Sequence, residues 1–531
     1  MGIHKGRGEG FAVHADLLLS GALVLDGTGA AAVRRDIAIV GDRISEVRIS
    51  EGVHTAADSI DLTGLVLAPG FIDIHTHSDI SLLHDSAGES KVLQGVTTEV
   101  LGNCGFSAFP VGPGPEHVAD LTAHLARLGD APAQIGWTGL DDYGAALGPL
   151  ALNVATLVGH GALRIAAMDD PYGPATSQDV VAMARLLDEA LAAGAYGMST
   201  GLTHTPSSYA PAAEIEALAA VCARHGALYA THARAVAGGE FAAVEEALGA
   251  AGRTGVRLQY SHLALNEPAN WGRHADALRR FEAATASGLD AGFDVYPYDA
   301  SSSALIQYLP EWVQKDPAGA DRRRALAAIA EGWYGGIPWH WDRVTISDAA
   351  DPALVGRTLG QIADLWARPP EEVVLDLCAA PDGGSVQAVL HYRREEDVRA
   401  FLSHPLAMVG SDGNAVPIAG RGKPHPRSFG TFPRVLGRYV REHGDLALAD
   451  AVRRMTSAPA DRLGLADRGR IRTGAIADLV AFDPATVSDR ATFTEPRQAP
   501  AGVALTVVSG RVAARDGKVG AERPGKVLRR G

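Results

Sequence analysis

Residues 70–79 read Gly-Phe-Ile-Asp-Ile-His-Thr-His-Ser-Asp, a short apolar run that ends in polar side chains able to bind a metal. Residues two apart on a strand face the same side, so His75 and His77 can reach one ion from a single strand end. A lone His-x-His is weak evidence. Its place directly after Ala-Pro-Gly (68–70), with Asp79 two residues on, strengthens it. Further along the chain the same pattern returns at 97–103, 153–158, 195–201, 228–232, 257–262, 292–298 and 406–412. Segments with helical periodicity, such as 178–193, 213–225 and 239–250, fall between several of these runs. The alternation predicts repeated βα units, and eight parallel strands predict a closed (β/α)8 (TIM) barrel spanning about residues 68–465. The interval 299–405 is longer than one crossover helix, so an insertion is expected between strands 7 and 8, at about 300–345.

The flanks have a different texture. Leu-Leu-Leu-Ser-Gly-Ala-Leu-Val-Leu-Asp-Gly (17–27) and Asp-Ile-Ala-Ile-Val-Gly-Asp-Arg-Ile (36–44) read as short antiparallel strands broken by turns. Ala-Asp-Leu-Val-Ala-Phe-Asp (477–483) and Val-Ala-Leu-Thr-Val-Val-Ser-Gly-Arg-Val (503–512) repeat that texture. One small β-sandwich built from both chain ends, 15–67 and 466–531, is the expectation. Residues 1–14 read as a disordered leader without an apolar signal core.

Composition narrows the function. The 531 residues are 47% hydrophobic and 21% charged, with a net charge of −14, which argues against nucleic-acid or anionic-membrane partners and leaves a small-molecule substrate. Three cysteines (Cys104, Cys222, Cys378) are too few for a disulfide framework, and no run approaches the ~20 apolar residues of a membrane span, so a cytoplasmic location is expected.

On a barrel, strand ends meet on one face, and His75, His77, Cys104, His160, Ser199, His232, His262, Tyr296 and Asp412 all sit at such ends. His232 and His262 end successive strands, one βα unit apart, and Asp412 ends the strand that neighbours the first in a closed barrel. A carboxylate there is suited to general-base work beside a metal. Two-metal barrel hydrolases often bridge their ions with a carboxylated lysine. No lysine lies between Lys91 and Lys315, so Cys104 remains as the bridging candidate.

These segments resemble the amidohydrolase superfamily, and within it the N-acyl-D-amino-acid deacylase (D-aminoacylase) family. The resemblance rests on 70–79, Gln-Gly-Val-Thr-Thr-Glu-Val-Leu-Gly-Asn-Cys-Gly (94–105), Val-Gly-His-Gly-Ala-Leu-Arg (158–164), Ser-Thr-Gly-Leu (199–202) and Asp-Val-Tyr-Pro-Tyr (294–298). It continues through Gly-Ser-Asp-Gly (410–413), Pro-His-Pro-Arg-Ser-Phe-Gly (424–430), 455–465 and Arg-Pro-Gly-Lys-Val-Leu-Arg (523–529). It implies a distorted barrel with a small β-domain, and zinc held tightly by Cys104, His232 and His262. A second, weaker site would use His75, His77 and Asp412. Metal-activated water would attack an amide carbonyl, with Asp412 passing the proton to the leaving amine. Tyr296, Arg427, His204 and Ser302 are the implied substrate contacts.

Two positions depart from the family pattern. Ala264 stands where lysine usually follows the second metal histidine, and His204 stands where tyrosine is usual. With the lysine gone, Arg427 is left to hold a substrate carboxylate largely alone, and substrates lacking one become better tolerated. A cyclic amide or imide hydrolase, or a deaminase, is the alternative chemistry on this fold. A non-catalytic scaffold would be expected to have lost metal donors, yet all six are present. Finally, Trp312, Trp333, Trp339 and Trp341, with Tyr308 and Tyr334, cluster in the insertion. They either pack it onto the barrel or form an aromatic lid over a bulky acyl group.

Overall fold

A computed structural model describes residues 15–48, 56–129 and 134–531; the leader expected at 1–14 lies outside the described residues. Eight strands form the barrel: β1 (Phe71–Asp73), β2 (Val96–Leu101), β3 (Asn153–Gly159), β4 (Gly197–Gly201), β5 (Leu228–His232), β6 (Arg257–Tyr260), β7 (Ala291–Val295) and β8 (Ala407–Val409). They follow one another in sequence order around a single sheet, each parallel to its neighbour. Every residue of β3 is buried, as parallel strands covered on both faces must be.

The helices between them read from sequence in the same way. Ser177–Ala192 starts on a capping box between Thr176 and Asp179 and buries Met183, Leu187, Ala190 and Leu191 along one face. Glu240–Thr254 stops at Gly255, whose φ of 72° lies in the left-handed region that glycine enters without steric cost. The crossover from β1 to β2 is the exception, with only the four-residue helices Ser81–His84 and Glu89–Val92.

The barrel closes irregularly. Ladder pairing of β1 ends at Asp73 and that of β8 at Val409, short of the 71–77 and 406–412 expected. Past those points the seam is held by a parallel bridge between Thr76 and Gly413, with Asp412 N to His75 O at 2.8 Å and His77 N to Gly413 O at 3.3 Å. Beneath the seam lies Lys91, fully buried, with Nζ 2.9 Å from Asp73 Oδ2, 3.1 Å from Glu99 Oε1 and 2.6 Å from Ser411 Oγ.

Both chain ends build one nine-stranded sheet, joined where Val66–Pro69 pairs antiparallel with Leu479–Phe482. Leu17, Leu19, Ile37 and Ile39 from the N-terminal part share a core with Leu479, Ala481, Leu505 and Val507 from the C-terminal part. The extreme C-terminus leaves this sheet and returns to the barrel. Val154 N donates to Lys526 O at 2.9 Å, Leu528 N donates to Val154 O at 2.7 Å, and a Cβ on Gly525 would collide with the Leu152 carbonyl.

The insertion is larger than the 300–345 expected from sequence. Its three-stranded antiparallel sheet places Gln387–Leu390 between Ser301–Ala304 and Val344–Asp348, so the sheet cannot form until residue 390 has been reached. Helices Leu359–Trp366 and Pro370–Ala379 contribute Leu359, Ile362, Val373 and Val374 to its separate core. No described helix is long and apolar enough to cross a membrane.

Lys91 gives this architecture a direct test. Removing one member of a buried charge cluster strands the others, which costs about 3–5 kcal/mol. Lys91→Met is therefore expected to lower unfolding stability by that order in urea titration. Adding Asp73→Asn and Glu99→Gln should recover much of the loss. A stability within 1 kcal/mol of the parent for Lys91→Met alone would show that the ammonium is not what holds the seam.

Candidate metal centre and pocket

Two donor groups meet at the carboxyl ends of the strands. His75, His77, Cys104 and Asp412 have ligand atoms within 4.8 Å of one another, and so do Cys104, His232 and His262. Cys104 belongs to both. Its Sγ lies 3.3 Å from His75 Nε2 and 3.4 Å from His262 Nε2. Asp412 Oδ1 lies 2.9 Å from His77 Nε2 and 3.3 Å from His75 Nε2.

The backbone carries these groups in unusual conformations. Cys104 (φ 52°), His262 (φ 36°) and Asp412 (φ 53°) all occupy the left-handed region, which is uncommon for non-glycine residues. Gly102 makes the turn before Cys104 with φ 78°, and a Cβ there would collide with the Leu157 carbonyl. Ser199 braces the same loop, accepting from Gly105 N at 3.0 Å.

The charges explain one another. Burial alone would raise the Cys104 thiol, but the facing His75 and His262 imidazoles outweigh it and hold the group well below its ordinary value. Burial would likewise raise Asp412, yet Arg427, His75 and His262 hold it well below the usual carboxylate range. Burial opposes protonation of His77, but hydrogen bonds to Asp412 and Cys104 carry it up to about 9. A thiolate and a carboxylate thus draw protons onto neighbouring imidazoles to balance their charge. A divalent cation would supply that balance directly, and the donor set of one thiolate, four imidazoles and one carboxylate fits such an ion.

Asp294, which sequence reasoning passed over in favour of Tyr296, aims the donors. Its Oδ1 lies 3.0 Å from His75 Nδ1 and accepts from His262 N at 2.8 Å, while Oδ2 accepts from Gln259 Nε2 at 2.9 Å. One carboxylate therefore fixes the ring orientation of His75 and the backbone of His262. The available signal was its place two residues before Tyr296, on the same face of the strand. Thr203 Oγ1, 2.7 Å from His232 Nε2, was likewise missed. His160 does not join the cluster; it is buried between Glu214 Oε1 at 2.9 Å and Ser207 Oγ at 3.0 Å.

Above the donors opens a pocket lined by His204, Ala264, Tyr296, Ser302, Arg393 and Arg427, among others. Arg427 Nη1 lies 2.7 Å from Asp412 Oδ2, an ion pair without hydrogen-bond alignment, and Nη2 donates to Ser302 O at 3.1 Å. His204 is buried with neither ring nitrogen partnered, its centroid 4.3 Å from that of His232. Burial and the neighbouring His232 keep it neutral. Arg393 lines the same pocket as Arg427, from the exit of the insertion. Of the four tryptophans between 312 and 341 only Trp333 reaches the pocket, with Tyr308 and Tyr334. Trp339 stacks on Trp341 at 5.1 Å, and Trp312 lies under Arg324, so these three pack the insertion itself.

Comparisons with known proteins agree with this geometry. The amidohydrolase family profile matches residues 58–514. The N-acyl-D-glutamate deacylase of Alcaligenes xylosoxydans xylosoxydans is 39% identical, over 97% of this chain and 96% of its own length. The D-aminoacylase of the same organism is 37% identical, over 97% of this chain and 98% of its own. Among solved structures, N-acyl-D-glutamate deacylase from Bordetella bronchiseptica, complexed with zinc and a phosphonate mimic of the tetrahedral intermediate, superposes with a TM-score of 0.84. It is 38% identical and covers 97% of this chain and all of its own (100%). The chain belongs to the amidohydrolase family, within its N-acyl-D-amino-acid deacylase (D-aminoacylase) group.

Proposed function

We propose that this protein is a zinc-dependent amidohydrolase that cleaves the linear amide bond of an N-acyl amine, namely an N-acyl-D-amino acid or a close derivative. The observation that carries the reading is the Cys104 sulfur, shared by two donor groups that line a pocket. Cys104, His232 and His262 would hold one zinc tightly, since a thiolate with two imidazoles is a typical zinc set that leaves a position open. His75, His77 and Asp412, with Cys104 as the bridge, would form the weaker second site. When bound, the metal supplies a Lewis acid that polarises the amide carbonyl and acidifies water.

The remaining work falls to side chains. Asp412, its carboxyl held well below the usual carboxylate range, belongs to the donor group of His75, His77 and Cys104, and would accept a proton on the attacking side and return it to the departing amine nitrogen. Asp294 keeps His75 and His262 aimed without touching substrate. Arg427, Tyr296, His204 and Ser302 border the space where the amino-acid portion would lie. The three cysteines are all free and buried, which suits a reducing, cytoplasmic setting.

Two variants test the assignment. Cys104→Ala should lose both zinc, measured by elemental analysis of the purified protein, and turnover; full metal content with full activity would sink it. Asp412→Asn should keep zinc at the Cys104, His232 and His262 site while losing at least ~10²-fold in kcat, with a smaller effect on KM. A rate within a few-fold of the parent would assign the proton transfer to another group.

A further inference from the structure

The pocket wall around Tyr296 collects polar atoms that the protein leaves without a hydrogen-bond partner. The Tyr296 hydroxyl, Arg427 Nε and both nitrogens of His204 are buried without a hydrogen-bond partner among the described residues. Buried polar groups are rarely left in this state, and at the wall of a pocket a ligand or ordered water can complete them. Two guanidinium groups approach the Tyr296 ring, Arg393 with Cζ 4.5 Å and Arg427 with Cζ 4.9 Å from its centroid.

The two cations differ in their partners. Arg427 already faces a carboxylate, Asp412, at 2.7 Å. Arg393 takes part in no ion pair among the described residues. Its Nε donates to the neutral Asn266 Oδ1 at 3.0 Å, which orients the guanidinium without cancelling its charge. Asn266 lies on the loop after β6 that also carries Ala264, and all three residues line the pocket. A guanidinium held by an amide, stacked on an aromatic ring and lining a cavity is pre-organised for an oxyanion.

We infer that Arg393 is a carboxylate anchor of this pocket, holding the free acid of the substrate together with the Tyr296 hydroxyl. The inference rests on the amidohydrolase reading above and adds the residue that selects acids over neutral analogues. It also accounts for how the pocket binds an acid when residue 264 is an uncharged alanine. The insertion, through its exit segment, delivers the cation that the barrel loop lacks.

The test uses zinc-loaded enzyme and a panel of N-acetyl-D-amino acids beside their primary carboxamides. Arg393→Met keeps an unbranched apolar stem and removes the charged guanidinium. It should lower kcat/KM for the acids about 10- to 100-fold more than for the amides, mainly through KM, because a charged hydrogen bond is lost only with the acids. Arg393→Lys should fall between the two, and Ala264→Lys should restore part of the acid preference in the Arg393→Met background. Equal losses on acids and amides would overturn the anchor, since they would report lost packing on Tyr296. An unchanged acid rate would overturn it as well. A parent enzyme that cleaves amides but not acids would refute the anchor and leave the amidohydrolase reading standing. A parent that cleaves neither would refute both.

Discussion

The ammonium of Lys91 is the tie on which the active face depends. It joins Asp73 on β1, Glu99 on β2, and Ser411 Oγ and Gly413 O on the two sides of Asp412. Burial disfavours the charged amine, but Asp73 and Glu99 outweigh it and raise its pKa. The same Asp73 accepts from Ser411 N at 2.8 Å, so the backbone before Asp412 is held from both ends of the ion pair. A cluster of buried charges is expensive to strand, and here that expense becomes positional accuracy. The seam between first and last strands, where ladder hydrogen bonds have run out, cannot drift without breaking it.

That tie lets the site keep strain elsewhere. Three of the six donor residues sit at positive φ, each costing about 1–3 kcal/mol by general experience of such positions. They persist because the neighbouring backbones leave no alternative. Gly201 has no room for a Cβ because the Cys104 carbonyl lies against it, and Asp294 holds His262 N in place. The left-handed turns convert strand ends, which would send side chains to alternate faces, into a concave ring of donors. The negative charges of Cys104 and Asp412 then face each other across shared imidazoles instead of solvent.

Much of this was legible in the chain because each barrel strand ends in a side chain with chemistry, and eight such endings leave few other architectures. The donors could be named since histidine, cysteine and aspartate at those ends stand out against apolar runs. The rest was hidden for identifiable reasons. The insertion's extent was underestimated because its central strand, Gln387–Leu390, comes last in sequence. Asp294 looked like part of a strand-end motif, and its work shows only when β6 and β1 are placed beside it. Arg393, in His-Tyr-Arg-Arg-Glu-Glu-Asp (391–397), reads as a solvated charge run until the insertion folds back over β7. Tyr296, Arg427, His204 and Ser302 do line one pocket, but their partners could not be read from the sequence, since Arg427 leans on Asp412 and His204 packs on the His232 ring without a hydrogen bond.

Chemistry and selection are thereby built on different foundations. The metal donors stand on barrel strands whose apolar packing is continuous with the outer helices, whereas Tyr308, Trp333 and Tyr334 belong to the insertion, and Tyr308 and Trp333 are buried in its own core. Arg393 follows the insertion's last strand directly and reaches the barrel through Asn266 and the Tyr296 ring. Substitutions of insertion-core residues that do not line the pocket, such as Ile362 and Val373, should have effects on metal binding nearly additive with changes at the donors. Tyr296 is where the two foundations meet, because its ring is fixed at the end of β7 and yet packs beneath a guanidinium from each side of the insertion boundary. A shift of the insertion would therefore move the pocket's cation relative to a stationary metal centre, changing which substrates are accepted before it changes how the amide bond is broken.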